Sequence, residues 1–423
     1  MMTTAQRPRQ QAHSSSLEPA WMGTLRASAR DRFDALRWPT TSDEEWRRTD
    51  LSRLDLASYG PPAAPKAACP GEADTGAWSG VIRFQGPRCT EVGLGPAAID
   101  RGVRLLPLDL AWEEFEAPLH RALAGAMERA DNRFIPWQIA LLSHGALLWV
   151  PAGVEIDAPF LIELAEQGAR TASAPHIEVV LGEGARASVV QRIAGGADML
   201  VNAAVDLRLG SASALRYFEM QHLDAGALYF RHARAEVGRD ASFTSFDAQF
   251  GSRLAKTRLD CELSGAGAEA HLDGAYFCER GQHMDLRTVQ NHTSPRATSR
   301  AYYKGAVAGG GRTVFQGLIE VAPGASGTDA YLTNRNLVLG EGARSDSIPT
   351  LRIGNNDVKC SHGSTTGRLN QDEIFYLESR GFSPIDAREM LVVGYFEDLL
   401  TPAPESFRED ALSVIRGRLR AAA

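Results

Sequence analysis

The residues best suited to chemistry stand near the C-terminal end, in the run Asp357-Val358-Lys359-Cys360-Ser361-His362-Gly363. A thiolate and a neutral imidazole are both good ligands for iron, and Cys360 and His362 are separated by a single residue. Side chains alternate faces along an extended strand, so these two would project to the same side and present sulfur and nitrogen together. Two donors do not close a tetrahedral site, and a Cys-x-His pair also serves as ordinary structure. The pair therefore reads as half of a metal site whose other half comes from elsewhere.

The rest of the chain adds no complete site. Cys69, Cys89, Cys261 and Cys278 are widely scattered, with no CxxC pair, so their spacing encodes neither a disulfide framework nor a zinc or cluster cage. His222, His232, His271 and His292 are spread through the middle of the chain and read as rung or surface residues. GGGRT at Gly309 to Thr313 lacks the GxxxxGK[ST] pattern, and no nucleophile elbow or dinucleotide fingerprint occurs, so ATP hydrolysis by this chain is not expected. The neighbouring carboxylates Asp43, Glu44 and Glu45, and Glu113 with Glu114, read as solvated polar faces rather than an acid and base pair.

The elements that must position Cys360 and His362 follow from patterning. Residues 1–16 are rich in Ser, Gln and Arg and read as a disordered tail; residues 17–135 read as a helical region, with apolar helix-like spacing from Leu17 to Leu36 and again from Trp112 to Ala130. Between them, residues 60–80 carry clustered Pro, Gly and Ala and read as a linker or long loop. From about Leu141 short β-type runs such as LIEL, IEVVL and SVVQRI take over, separated by small-residue turns, and residues 136–365 read as one β region. A phrase ending in Ala recurs as LGEGA, LGSASA, VGRDA and LSGAGA, closing on Ala185, Ala214, Ala241 and Ala268, which is a loose period of roughly 28 residues. Later copies close on Ala325 and Ala343, a much shorter interval. Such a period, built from strands and tight turns, predicts a parallel β-helix; the alternative is a β-sandwich punctuated by Gly and Ala.

Residues 366–423 switch to helix: Gln371 to Ser379, ended by Gly381, then Pro384 to about Leu400 with Ser383 as N-cap, then a last helix from Glu405. Pro384, Ile385, Met390, Leu391 and Phe396 belong to a helix with more apolar surface than a small exposed helix needs. That surplus is either a partner-docking surface or a face packed on the β-helix. With a net charge of −7 over 423 residues the chain has no basic excess for nucleic acid, and its polar start and short apolar runs predict a cytoplasmic protein with no membrane span.

Asn356 to Arg380, NDVKCSHGSTTGRLNQDEIFYLESR, closely resembles the C-terminal signature of the SufB/SufD family of iron-sulfur cluster assembly proteins. The likeness extends through HTSPRATSRAYYKGAV (His292 to Val307), GRTVFQGLIEV (Gly311 to Val321) and TDAYLTNRNLVLGEGARSDSIPTLRI (Thr328 to Ile353), and EEWRRTDLSRL (Glu44 to Leu54) is similar to the family's early Glu-Glu-Trp segment. SufB-type chains carry a Cys after the Thr-Asp segment and a His-Glu-Ala near the signature, where this chain has Arg335 and His362-Gly363-Ser364, so the resemblance is to SufD-type members. Gln316 and Gly327 stand where Asn and Lys are common. The resemblance implies a mainly β fold, a right-handed parallel β-helix core flanked by N-terminal and C-terminal helical regions. It implies a non-catalytic scaffold that forms a heterodimer with a SufB-like subunit through the β-helices and docks a SufC-like ABC-type ATPase on its C-terminal helices; alone, the chain would form a homodimer. It implies a role in cluster assembly for His362, with Cys360 as companion, toward iron or a transient iron-sulfur cluster shared with SufB and not held stably by this chain alone. The competing readings are a SufB-like cluster-carrying subunit, a β-helical carbohydrate-active enzyme, which would need stacked carboxylates, and a hexapeptide acyltransferase, which would need a strict six-residue repeat.

Overall fold

The computed structural model describes residues 18–61 and 71–421; the expected tail lies outside them, as do residues 62–70 of the expected linker. From His144 to Arg368 the chain winds as a parallel β-solenoid of about 8 turns. Its strands alternate between two sheets, and from Pro175–Leu181 to Thr328–Val338 each pairs in parallel with the strand two places further along. Leu200–Leu209 pairs with Leu228–Val237 and that strand with Leu254–Leu263, while in the other sheet Arg186–Gly195 pairs with Ala214–Leu223 and that strand with Ser242–Gln249. The eleven-stranded sheet ends on Val358–Arg368 and the ten-stranded sheet on Arg344–Ile353.

One corner of each coil explains the recurring phrase. Ala185, Ser213, Ala241, Ala268, Ala297 and Ala325 stack there, each at most 1% exposed, at a nearly constant interval along the chain. Only a small side chain fits under the next coil. Just before these residues the backbone turns through the left-handed region at Gly184, Ala212, Asp240, Gly267 and Arg296, and each of these donates its N–H to a carbonyl of the following coil's corner at 2.8–3.1 Å. The conformation precedes five of these six corners, the one at Ala325 being the exception, and glycine meets it only at some of them; elsewhere the inter-coil hydrogen bond holds a residue with a side chain in place. The period is therefore real but irregular as text. Its equivalent in the second coil is Ser213 rather than Ala214, the copy at Ala297 hides in Ser294-Pro295-Arg296, and Ala343 precedes Arg344–Ile353, on the opposite corner.

Between the sheets lies the main core, built from inward positions such as Val189, Val205, Phe243, Leu259, Leu286 and Ile319. Tyr276 and Tyr303 are accommodated there by facing glycines: a Cβ at Gly305 would come within 2.0 Å of the Tyr276 ring, and one at Gly274 within 2.2 Å of Tyr303. The interior also carries charge. Arg231 Nη1 donates to Glu219 at 2.5 Å and Nη2 to Asp247 at 3.0 Å, Tyr229 donates its hydroxyl to Glu219 at 3.0 Å, and all three ionic groups are buried.

Both outer sheet faces are covered, which is why the strands read as nearly continuous apolar runs. The helices Ala20–Ala35, Glu116–Arg129 and Phe134–Leu141 pack on the ten-stranded sheet, with Phe134, Trp137 and Trp46 over Leu200, Phe230 and Leu254. Glu45, expected to be solvated, is part of this seal: its carboxylate accepts from Arg258 at 2.7 Å and lies 3.1 Å from Arg287, and its carbonyl accepts from Lys256 at 2.7 Å. On the other side, helices Pro384–Leu400 and Glu405–Ala421 lay Val392, Phe396, Leu399 and Phe407 on Phe218, Phe246 and Phe277. The N-terminal third also differs from the expected helix and loop. Gly80–Gln85 and Arg104–Pro107 join the two sheets, beside Phe160–Glu166 and His144–Val150, with Arg88–Leu94 folded antiparallel against the first. Strands this short leave little periodicity to read.

Two stability predictions follow from the interior. Replacing Arg231 with Met leaves Glu219 and Asp247 as uncompensated buried carboxylates and should destabilise the chain by about 3–5 kcal/mol. The urea midpoint measures this, and adding Glu219→Gln and Asp247→Asn to the same variant should restore much of the loss. His292 is fully buried with its Nε2 2.8 Å from Ser299 Oγ, and burial lowers its pKa to about 4. Above the unfolded value near 6.5 it is neutral in both states; below that, only the unfolded chain takes the proton, so stability falls as pH drops from about 6.5 to 4, by up to roughly 3 kcal/mol. His292→Gln should flatten that part of the stability-versus-pH curve, and an unchanged slope would contradict the assignment.

Candidate functional site

Val358–Arg368 is the last strand of its sheet and has one ladder partner, Thr328–Val338. In that register Cys360 lies beside Ala330 and His362 beside Leu332, and both partners are core residues 1% exposed. Cys360 and His362 thus occupy columns that face the lumen in the coil before, as the two-residue spacing predicts. Because no coil follows, the lumen is open here: Cys360 is half-buried against the core and His362 is exposed. The companion strand Arg344–Ile353 contains no fully buried residue.

An uncovered strand leaves a row of backbone N–H and C=O groups free to pair with another chain. The two edges are not equivalent. Pro349, midway along Arg344–Ile353, removes a donor, whereas Val358–Arg368 contains no proline. The opposite end of the solenoid, by contrast, is closed by antiparallel strands.

The Cys360 thiol is raised above its ordinary pKa, chiefly by burial and further by the nearby Asp329 carboxylate, against a lowering contribution from the Ala330 backbone. In the chain alone it stays protonated at neutral pH, and a cation at the open end is what would favour its thiolate. The other described cysteines are packed more deeply: burial pushes Cys89 and Cys278 to about 12 and Cys261 higher still. Of the histidines singled out by sequence, His232 lies 3.0 Å from Asp260 and His271 3.1 Å from Glu269, while His222 points outward from its strand and is exposed. None of them stands on the strand that carries Cys360 and His362.

The C-terminal helices divide the expected docking residues. Asn370 caps Gln371–Ser379 and Ser383 caps Pro384–Leu400, each side chain accepting from a backbone N–H two or three residues on. Pro384, Ile385 and Met390 are exposed and Leu391 is half-buried, but Phe396 is fully buried on the sheet, which corrects its placement on an outward surface in the free chain. Pro384–Leu400 is apolar on two faces, and one of them is spent on packing. The outward surface instead gains Phe375, 71% exposed, with Tyr376 and Phe382. A signal for these was present: Ile374, Phe375 and Tyr376 are consecutive on a helix, so they cannot share one buried face. Among the described residues no helix is long and apolar enough to cross a membrane.

Residues 163–395 match the family described as SUF system FeS cluster assembly, SufBD core domain. Over its length the chain is similar to an iron-sulfur cluster assembly SufBD family protein of Mycobacterium leprae, 30% identical over 420 residues that cover 96% of each chain. A SufBD family protein of Mycobacterium tuberculosis is 28% identical over 92% of this chain and 89% of its own. The iron-sulfur cluster assembly protein SufD of Escherichia coli is 30% identical over 234 residues, 55% of this chain and 54% of its own. With the family's core matched across the coils that carry the strand ladder, and relatives aligned from end to end, the chain belongs to the SufBD family of iron-sulfur cluster assembly proteins.

Proposed function

We propose that this chain is a SufD-type scaffold subunit, non-catalytic itself, that joins a SufB-like chain at its open solenoid end and carries a SufC-like ATPase on its C-terminal helices. The observation that most supports the reading is the uncapped last coil with Cys360 and His362 on its lumen side. A partner coil stacked on this end would satisfy the free ladder of Val358–Arg368 and bring its own donors opposite the pair. Iron or a nascent cluster is then cargo shared across the junction: an imidazole and a thiolate from this side complete a coordination shell only together with ligands from the other. Energy from ATP would enter through a partner, since this chain carries no phosphate-binding loop. The exposed apolar group Phe375, Tyr376, Phe382, Ile385 and Met390 is the natural seat for it, because aromatic and Met side chains left in water at one place mark a protein interface.

In the reconstituted complex, His362→Ala should lower cluster yield by about tenfold and Cys360→Ser by less, with association of the subunits unchanged. Iron and labile sulfide, assayed while the SufB-like chain is titrated to saturation, separate ligation from docking: full recovery of His362→Ala at saturation would show that His362 only holds the interface. Ile385→Asp combined with Met390→Asp should weaken ATPase capture by about 100-fold or more without altering the circular dichroism spectrum. Phe396→Asp should instead lower the melting temperature, because it drives a charge into the helix-on-sheet core.

A further inference from the structure

Far from the open end, three ligand-type side chains converge on the outer face of the ten-stranded sheet. His176 and Glu178 stand two residues apart on Pro175–Leu181, and Asp206 lies directly across from Glu178 on Leu200–Leu209. They are 1%, 0% and 9% exposed. His176 Nε2 is 3.4 Å from Glu178 Oε2 and 3.9 Å from Asp206 Oδ2, and one donor atom of each residue lies within 4.8 Å of the other two. Those separations are long for hydrogen bonds. They suit donors that share an ion: two ligands each about 2.1 Å from a metal at a tetrahedral angle are about 3.4 Å apart.

Three further features describe a built site. Arg208 holds Glu178 by the other oxygen, Nη2 to Oε1 at 2.5 Å, and is itself tied to the Pro118 carbonyl, so Oε2 is turned toward His176, its one long contact. Within 4.0 Å, among the described residues, Asp206 faces the His176 imidazole and no Lys or Arg. Finally, His176 and Asp206 line a cavity of about 150 Å³ roofed by the N-terminal helices, and His176 Nδ1, though buried, has no hydrogen-bond partner. The cavity exists because Ala204 stands in the ladder between His176 and His232, where a longer side chain would fill it.

We infer that His176, Glu178 and Asp206 form a binding site for one divalent first-row transition-metal ion, with open coordination positions facing the cavity. One imidazole nitrogen with two carboxylate oxygens suits Fe²⁺, Mn²⁺, Co²⁺ or Zn²⁺ and disfavours Mg²⁺ and Ca²⁺, which prefer oxygen alone. Arg208 acts as a positioning residue that fixes Glu178 as a one-oxygen ligand. The site is independent of Cys360, His362 and any partner chain.

The full chain, stripped with chelator and titrated anaerobically with Co²⁺, should bind one ion with ligand-field absorption bands, and X-ray absorption should show nitrogen and oxygen neighbours but no sulfur. His176→Ala and the near-isosteric Asp206→Asn should each weaken binding by at least about 100-fold with unchanged circular dichroism, while Cys360→Ser combined with His362→Ala binds as the parent chain does. No Co²⁺ uptake by the parent chain, undiminished binding by the folded Asp206→Asn variant, or loss of the ion in the Cys360 and His362 variant would each overturn the site. None of these readouts depends on cluster assembly, so failure of the scaffold reading would leave the result intact.

Discussion

Every coil of this protein is hydrogen-bonded to the coil before and the coil after it, and the last one has no successor. That constraint organises the molecule. A parallel ladder cannot close on itself as an antiparallel hairpin does, so the chain must cap each end or leave it sticky. At the start, Gly80–Gln85, Arg88–Leu94 and Arg104–Pro107 are recruited as a lid, part of it antiparallel. At the finish, the chain leaves the ladder after Arg368 and turns its helices onto the side of the stack rather than over its mouth. Cys360 and His362 are reactive in prospect because of where the stack stops: one coil earlier, their columns hold Ala330 and Leu332, which are plain core.

The lumen that leads to this mouth is not uniformly apolar. Arg231 with Glu219 and Asp247, and the four lumen-facing tyrosines Tyr217, Tyr229, Tyr276 and Tyr303, place polar and ionic groups in the middle coils. Burying them costs stability compared with an aliphatic stack, yet each ion is met by a partner, and the pairing fixes which rung faces which. The glycines at 274 and 305 serve the same end by admitting the rings of Tyr303 and Tyr276 from the neighbouring coil.

What could be read from the sequence followed from how local each feature is. The Cys360 and His362 pair was legible because strand alternation is a two-residue rule. The helices Gln371–Ser379 and Pro384–Leu400 were legible because Gly381, Ser383 and Pro384 punctuate them. The coil period was only half legible, since the corner demands a left-handed backbone and a small side chain, and Arg296 with Ala297 satisfies it without resembling Gly184 with Ala185. Phe396 and Met390 share one helix and differ only in which face meets the sheet, so composition could not separate them. Glu45 looked like surface because its partners Arg258 and Arg287 lie far along the chain, several coils into the solenoid. The trio of His176, Glu178 and Asp206 is invisible to local spacing for a related reason: Glu178 and Asp206 are separated by one full coil of chain, which is adjacency in space.

The strap formed by the last two helices ties distant coils together through Arg192 to Asp410, Lys304 to Asp398 and Arg418 to Glu279. A bare solenoid behaves as a one-dimensional chain in which each repeat feels only its neighbours, so repeats fray independently and are added or deleted freely over evolutionary time. Long-range ties remove that freedom. Inserting one coil between Arg192 and Glu279 would shift Glu279 and Lys304 along the stack relative to Arg192 while the strap kept its length, and the three contacts could not all be made. The number of turns between Arg192 and Lys304 is thus set by a measuring rod on the outside of the molecule, and that stretch of the stack is inherited as a fixed dimension.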